Sequence, residues 1–304
     1  MGKKLQGTMM LLLTALIWGS SFVAQRAGME YIGPFTFNGI RSLIGGLVLI
    51  PVIFLFSKEK NAELTEAEKK AGKKTLLLGG ILCGIVLFAA SSLQQIGMVY
   101  TTAGKAGFIT ALYIVLVPIL GVFIRKKVKP IVWLCVILAV AGLYLLCMTD
   151  GLSLGRGDLL VLLCAFAFSI HILVIDYFAP RTDGVALSCI QFFVCGILSL
   201  FPMFLAETPV WFAILDCWIP ILYAGVLSCG VAYTLQILAQ KHTDPTVASL
   251  LLSLESVFAA IAGAIILHEQ LAPRELAGCV LMFAAIIIAQ LPSKTEREAA
   301  EDSK

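Results

Sequence analysis

The sequence predicts an all-α integral membrane protein, ten transmembrane helices arranged as two inverted five-helix repeats, and three observations carry that prediction. Apolar residues make up 60% of the 304 residues and charged ones only 13%, with a mean hydropathy of +0.97, outside the range of water-soluble globular chains. The apolar residues fall into ten runs, each long enough to cross a hydrocarbon layer about 30 Å thick at about 1.5 Å per residue. The chain also aligns with itself in two registers.

Bounded by charge, Pro or Gly, the runs are 8–27, 34–56, 75–99, 104–124, 131–148, 157–178, 185–205, 218–239, 245–267 and 273–291. Lys3 and Lys4 precede the first run, which has no small-residue cleavage site behind it and reads as a retained helix. Between the second and third runs, Ser57 to Lys74 mixes charges without apolar periodicity; it reads as a solvated connector in which Thr65 and Glu68 can cap a short surface helix. Ala206 to Cys217 carries Glu207 and Asp216 without Lys or Arg, and with Trp211 and Trp218 it suits the outer interface. The tail 293–304 is charged and reads as disordered and cytoplasmic. With a cytoplasmic N-terminus, five of the 22 basic residues (Arg26, Arg41, Lys105, Arg156 and Arg274) fall outside the inner segments and the other 17 inside them. That asymmetry predicts a multi-pass protein of the plasma membrane with both termini in the cytoplasm.

A slip of 150 residues pairs Gly7 with Gly157, Trp18 with Phe168, Ser21 with His171, Arg41 with Gln191 and Gly46 with Gly196. A slip of 142 pairs Gln94 with Gln236, Ala106 with Ala248, Leu112 with Leu254, Tyr113 with Glu255 and Gly121 with Gly263. The predicted domains are therefore residues 1–150 and 151–292. Five helices is an odd number, so the halves enter the membrane with opposite orientation, the arrangement secondary transporters use for alternating access.

Glu255 stands near mid-depth of the ninth run, where a carboxylate costs several kcal/mol and should face protein or water, find a partner, or carry a proton. A structural hydrogen bond between helices is the competing reading. Its repeat partner Tyr113 offers a hydroxyl and a π face that suit an amine. Trp18 lies too deep for the interfacial belt, with Ser21 on the same face at i+3, and the repeat places His171 opposite; plain packing and a hydrogen-bonded core histidine are the alternatives. Ser91, Ser92, Gln94 and Gln95 cluster on helix three, and Thr234 with Gln236 answer them on helix eight, either as interhelical glue or as a site. Arg41 can snorkel outward, hold a gate by a salt bridge, or clamp a substrate carboxylate. The candidate set for substrate binding or coupling is Glu255, Tyr113, Gln94, Gln236, Trp18, Ser21, His171 and Ser92, with Arg41 as a gate or carboxylate contact.

No phosphate-cradling loop, HExxH or Cys/His cluster is present, and the three histidines, 171, 242 and 268, are scattered. The nine cysteines sit almost all in apolar runs without a CxxC and read as packing residues. The expectation is no metal, no cofactor and no nucleic-acid partner; the expected partners are the lipid bilayer, a small-molecule substrate and protons, with the protein a monomer or homodimer.

ALIWGSSFVAQRAG (15–28), PFTFNGIRSLIGGLVL (34–49), AGKAGFITALYIVLVPILGVF (103–123) and ASLLLSLESVFAAIAGAIILHEQLAPRELAGCVLMFAAI (248–286) resemble the EamA-type transporters of the drug/metabolite transporter superfamily. The likeness covers nearly the whole chain apart from the inner loop and the tail. Ser256 stands where that family often has proline after the glutamate, and RKKVKP (125–130) lacks the acidic end that HEQL (268–271) supplies in the second half. The resemblance implies a central cavity lined by spans 1, 3, 4, 6, 8 and 9, with 5 and 10 peripheral. It also implies an exporter of small polar organic metabolites, amino acids or similar compounds, and not an enzyme. An integral membrane enzyme would need convergent side chains at one membrane face, and a non-transporting receptor or scaffold would need a larger soluble segment than the inner loop.

Overall fold

Pro, Gly and charge punctuate the chain, and the helices begin and end at that punctuation. The computed structural model describes residues 2–56, 66–101, 103–126, 128–147, 155–266 and 272–290, and among them every regular element is helical. In order these are α1 (Lys3–Gly28), α2 (Pro34–Phe56), α3 (Glu66–Tyr100), α4 (Ala103–Ala111), α5 (Tyr113–Phe123), α6 (Pro130–Cys147) and α7 (Arg156–Phe178). There follow α8 (Gly184–Ala206), α9 (Trp211–Asp216), α10 (Trp218–Leu222), a π-helical stretch Tyr223–Tyr233, α11 (Thr234–Gln240), α12 (Pro245–Leu252), α13 (Glu255–Ile266) and α14 (Pro273–Gln290). Among the described residues, seven helical segments are long and apolar enough to cross a membrane, and shorter apolar helices cover Pro130–Leu145 and Pro245–Ala259. Phe123, Leu55, Phe54 and Phe204 stand 72 to 80% exposed on the outside of the bundle, a surface suited to lipid rather than water. The protein is a multi-pass, all-α membrane protein.

Three spans read as continuous from the sequence are interrupted. The fourth breaks at Leu112, where the Leu112 N–H bonds the Ile109 carbonyl at 3.2 Å, and the ninth breaks at Ser253 and Leu254, where the Leu254 N–H bonds the Leu251 carbonyl at 3.3 Å. Both are single 3₁₀ turns, and the 142-residue slip pairs Leu112 with Leu254 and Ile109 with Leu251. Proline is not needed at 256: the hydroxyls of Ser249 and Ser253 each bond a carbonyl three residues back, at 2.8 Å, and so compete with the helical ladder. The eighth span is α10, the π-helical stretch and α11 in succession. The connector also differs from expectation, because helix starts at Glu66 and continues α3 down to the membrane span; Ser57 to Thr65 and the tail lie outside the described residues.

Helix pairs close where glycine removes a side chain. A Cβ on Gly157 of α7 would come within 2.8 Å of the Gly97 carbonyl on α3, and one on Gly97 within 3.0 Å of the Gly157 carbonyl. Gly7 of α1, the repeat partner of Gly157, makes the corresponding approach to Ala239 of α11, the repeat partner of Gly97. α2 packs along α8, α3 along α7 and α8, α6 along α14, and α1 against α13 and the π-helical stretch. Glu207, just past α8, caps α2: its carboxylate accepts from the backbone N–H of Phe35 and Thr36, both at 2.8 Å, and from the Thr36 hydroxyl at 2.6 Å, an anion on the positive end of a helix. Lys126, after α5, pairs with Asp176 on α7. Cys83, Cys135, Cys164, Cys189, Cys195, Cys217, Cys229 and Cys279 are buried free thiols, as packing residues should be.

Crowding at the α3–α7 crossing has a measurable consequence. Gly157→Leu is expected to lower stability by about 1 to 3 kcal/mol, the usual cost of overpacking. Gly72→Leu, on the same long α3 but with nothing within 4 Å of a new Cβ, should stay within about 0.5 kcal/mol of the parent. Thermal unfolding of the purified variants in detergent compares the two.

Candidate functional site

Arg41 lies two turns into α2 and is 5% exposed. Its Nε and Nη2 both donate to Asn38 Oδ1, at 3.1 and 3.0 Å, its Nη1 donates to Gln25 Oε1 at 2.8 Å, and its guanidinium carbon sits 5.6 Å from the Phe37 ring centre. The outward snorkelling that its distance from the helix end suggests does not occur, because Asn38 and Gln25 supply acceptors inside the bundle. Those partners are neutral. Among the described residues no carboxylate comes within ion-pair distance of Arg41.

Glu255 opens α13 immediately after the helix break, and Tyr113 opens α5 in the same relation to its own break. Both are buried, and the tyrosine hydroxyl donates to Glu255 Oε1 at 2.9 Å. The two residues that the repeat equates therefore meet. A carboxyl group in the first turn of a helix also lies on the positive end of that helix's dipole.

Around these groups the aromatic side chains form one wall. Tyr233, at the end of the π-helical stretch, has ring centres of Trp18, Phe192 and His171 at 4.5, 5.4 and 6.0 Å. Trp18 Nε1 donates to the Ser228 carbonyl at 3.5 Å. His171 Nε2 lies 3.1 Å from Gln191 Oε1, joining the repeat partners of Ser21 and Arg41, while His171 Nδ1 and Gln191 Nε2 have no protein partner. Gln94 donates to the Thr110 hydroxyl at 3.2 Å; Gln236 donates to Gln240 Oε1 at 3.1 Å, and Gln240 to the Ile172 carbonyl at 3.0 Å. Gln94 on α3 and Gln236 on α11, the pair that the 142-residue slip equates, line the same cavity.

The cavity these residues line is small in this conformation, about 30 Å³, room for one or two waters. Of the residues singled out from the sequence, Trp18, Arg41, Gln94, Tyr113, His171, Gln236 and Glu255 line it, and through Arg41 the second span joins the walls. Ser21 and Ser92 do not line it: Ser21 stands behind Gln25, accepting from its Nε2 at 3.4 Å, and the Ser92 hydroxyl is buried without a protein partner. Sequence reasoning missed Phe22, Gln25, Thr110, Ile172, Ser228 and Tyr233, which together with Phe168, the repeat partner of Trp18, complete the lining. Gln25 was within reach, since it lies one turn beyond Ser21 on the same face. Among the described residues no group of three metal-ligating side chains occurs.

A profile of the EamA-like transporter family matches the chain twice, over residues 5–148 and 155–290. The chain belongs to that family. Relatives of this EamA-like transporter include an uncharacterized transporter of Archaeoglobus fulgidus, 31% identical over 95% of this chain and 87% of its own. Another is the uncharacterized transporter YoaV of Bacillus subtilis, 22% identical over 91% of this chain and 94% of its own. A crystal structure at 17% identity superposes with a TM-score of 0.77 over 96% of this chain and 98% of that one, a likeness that bears on the fold alone. Family and relatives indicate a transporter and not an enzyme.

The Tyr113–Glu255 contact can be weighed directly. Tyr113→Phe leaves a buried carboxyl oxygen without its donor and is expected to cost about 1 to 3 kcal/mol. Combined with Glu255→Ala, which removes the acceptor, the double variant should deviate from additivity by at least about 0.5 kcal/mol. A double-mutant cycle in thermal unfolding measures it; additive losses would mean the contact contributes nothing.

Proposed function

We propose that the protein is a secondary transporter of small zwitterionic metabolites, amino acids or compounds like them, exporting them across the cell membrane by alternating access. One observation carries the reading: the cavity holds one guanidinium and one carboxyl group, Arg41 and Glu255, each hydrogen-bonded to neutral partners and neither paired with an opposite charge. An unpaired buried charge is costly in hydrocarbon. A zwitterion supplies both missing counter-charges, its carboxylate to Arg41 and its ammonium to Glu255, and a ligand of the opposite polarity is what such a site binds best. Trp18 forms part of the aromatic wall, Gln94 and Gln236 offer amides to the cavity, Ser21 acts through Gln25, and His171 Nδ1 holds hydrogen-bonding capacity in reserve.

In this reading residues 1–150 and 151–292 are two five-helix repeats of opposite orientation, ten transmembrane helices in all, with both termini and the tail 293–304 in the cytoplasm. The double match of the family profile and the 142-residue spacing of the two helix breaks support it. Glu255 couples transport to the proton gradient by holding a proton in one half of the cycle and the substrate ammonium in the other, with Tyr113 as the donor that steadies the ionised form.

Proteoliposomes test the function itself. Preloaded with a mixture of unlabelled amino acids, they should accumulate a labelled one by counterflow, and Arg41→Gln should abolish it; vesicles that never exchange any amino acid would refute the reading. Glu255→Gln keeps an acceptor for Tyr113 but cannot titrate, so exchange should persist while accumulation driven by an imposed pH gradient falls to the level of protein-free vesicles. Uphill accumulation with unchanged pH dependence would make Glu255 structural. For orientation, on a cysteine-free background a cysteine replacing Gly72 should resist an impermeant thiol reagent in intact cells while one replacing Thr208 reacts, and the opposite pattern would invert the topology.

A further inference from the structure

We infer that Asn38 is the specificity-determining residue of the cavity: it aims the Arg41 guanidinium while leaving its charge uncompensated, so that the site selects ligands that carry a carboxylate. The inference rests on the reading of Arg41 as the carboxylate contact and goes beyond it by naming what keeps that cation available.

Asn38 is fully buried on α2, one turn before Arg41. Its Nδ2 donates to Ser91 Oγ on α3 at 2.9 Å and to Ser199 Oγ on α8 at 3.0 Å. Both hydroxyls have already committed their protons, Ser91 to the Leu87 carbonyl at 2.6 Å and Ser199 to the Cys195 carbonyl at 2.8 Å, so each can only accept. That fixes the amide with its nitrogen towards the two serines and its oxygen towards Arg41. The single oxygen takes Nε–H and one Nη2–H, and Gln25 takes one Nη1–H. Of the five guanidinium N–H groups, one on Nη1 and one on Nη2 remain for a ligand in the cavity that Arg41 lines, and a carboxylate is the strongest acceptor such donors can find.

Aspartate is nearly the same size as asparagine, yet at position 38 it would discharge Arg41 permanently and deprive both serine hydroxyls of their donor. The neutral amide therefore does what a salt bridge cannot, holding the cation in the membrane interior through hydrogen bonds and leaving its charge for the ligand. Glutamate at position 25 would discharge Arg41 from another helix at the loss of the Ser21 contact alone, leaving those of Asn38 to Ser91 and Ser199 in place.

The test compares matched pairs, glycine with methylamine, alanine with ethylamine, leucine with 3-methylbutylamine and phenylalanine with phenethylamine, by thermal stabilisation of the full-length protein in detergent. Wild type should respond to the preferred amino acid at about tenfold or more lower concentration than to its amine. In Asn38→Asp and in Gln25→Glu that ratio should collapse by about tenfold, with the amine drawing level or overtaking. A ratio of amino acid to amine is insensitive to a general loss of packing, and Gln25→Glu alone decides the matter if Asn38→Asp fails to fold. Variants that retain the wild-type ratio would overturn the roles of Asn38 and of Arg41 in reading the carboxylate, while the preference of the wild type for zwitterions would stand. A wild type indifferent to the carboxylate would overturn both.

Discussion

The bilayer sets the terms for this fold through one requirement: a polar group in hydrocarbon must find its partner within the protein, at a cost of several kcal/mol if it does not. Arg41 shows the requirement at its strictest, since guanidinium cannot shed its proton. Its demand is met by Asn38 and Gln25, and Asn38 in turn reaches α3 and α8 through Ser91 and Ser199. The bundle interior is thus joined by neutral hydrogen bonds around Arg41, the one buried Lys or Arg side chain among the described residues, while Phe54, Leu55 and Phe123 face outward. Hydrophobic association cannot supply the cohesion between helices in lipid, so glycine crossings and polar nodes of this kind must.

Lining a cavity sets a second demand, because a straight helix cannot present both a side chain and its own terminus to the same space. The breaks at Leu112 and at Ser253 and Leu254 answer it. Each starts a new helix whose first residue, Tyr113 or Glu255, faces the cavity, and the positive end of α13 then lies where the carboxyl group does. The π-helical stretch performs a related service by delivering Ser228 and Tyr233 to the wall from a segment whose Gly225 approaches the Arg41 carbonyl of α2, a Cβ there lying 3.1 Å from it. Small residues make that approach tolerable.

Helix positions were legible in the sequence because hydropathy and punctuation report the bilayer directly. Most of the polar lining was legible as well, since Glu255, Arg41, Gln94 and Gln236 each violate the composition of the run they occupy. What escaped has a physical cause. Tyr233, Phe22 and Ser228 are acceptable anywhere in an apolar span, so nothing in their type marks them as lining. Asn38 and Gln25 gain meaning only from the side chain they hold, and that partner comes from packing, not from periodicity. The breaks escaped because a serine hydroxyl bonding back to a carbonyl leaves no such mark as proline does. Ser21 and Ser92 failed in the other direction, being polar and correctly spaced yet turned behind Gln25 or into the bundle.

The departures between equivalent positions say more about the site than the matches. The registers that equate Gly7 with Gly157 and Leu112 with Leu254 also set Arg41 against Gln191, Tyr113 against Glu255 and Ser21 against His171. Had both halves kept arginine, two like charges would share one low-dielectric cavity, at a cost that no pair of neutral amides offsets. Two glutamates would meet at the place where Tyr113 now donates to Glu255, and one would have to hold a proton permanently. One cation, Arg41, and one carboxyl group, Glu255, line the cavity instead, and both conflicts are absent. The matching helix breaks at Leu112 and Leu254 and the unlike side chains beside them, Tyr113 and Glu255, then answer the same constraint.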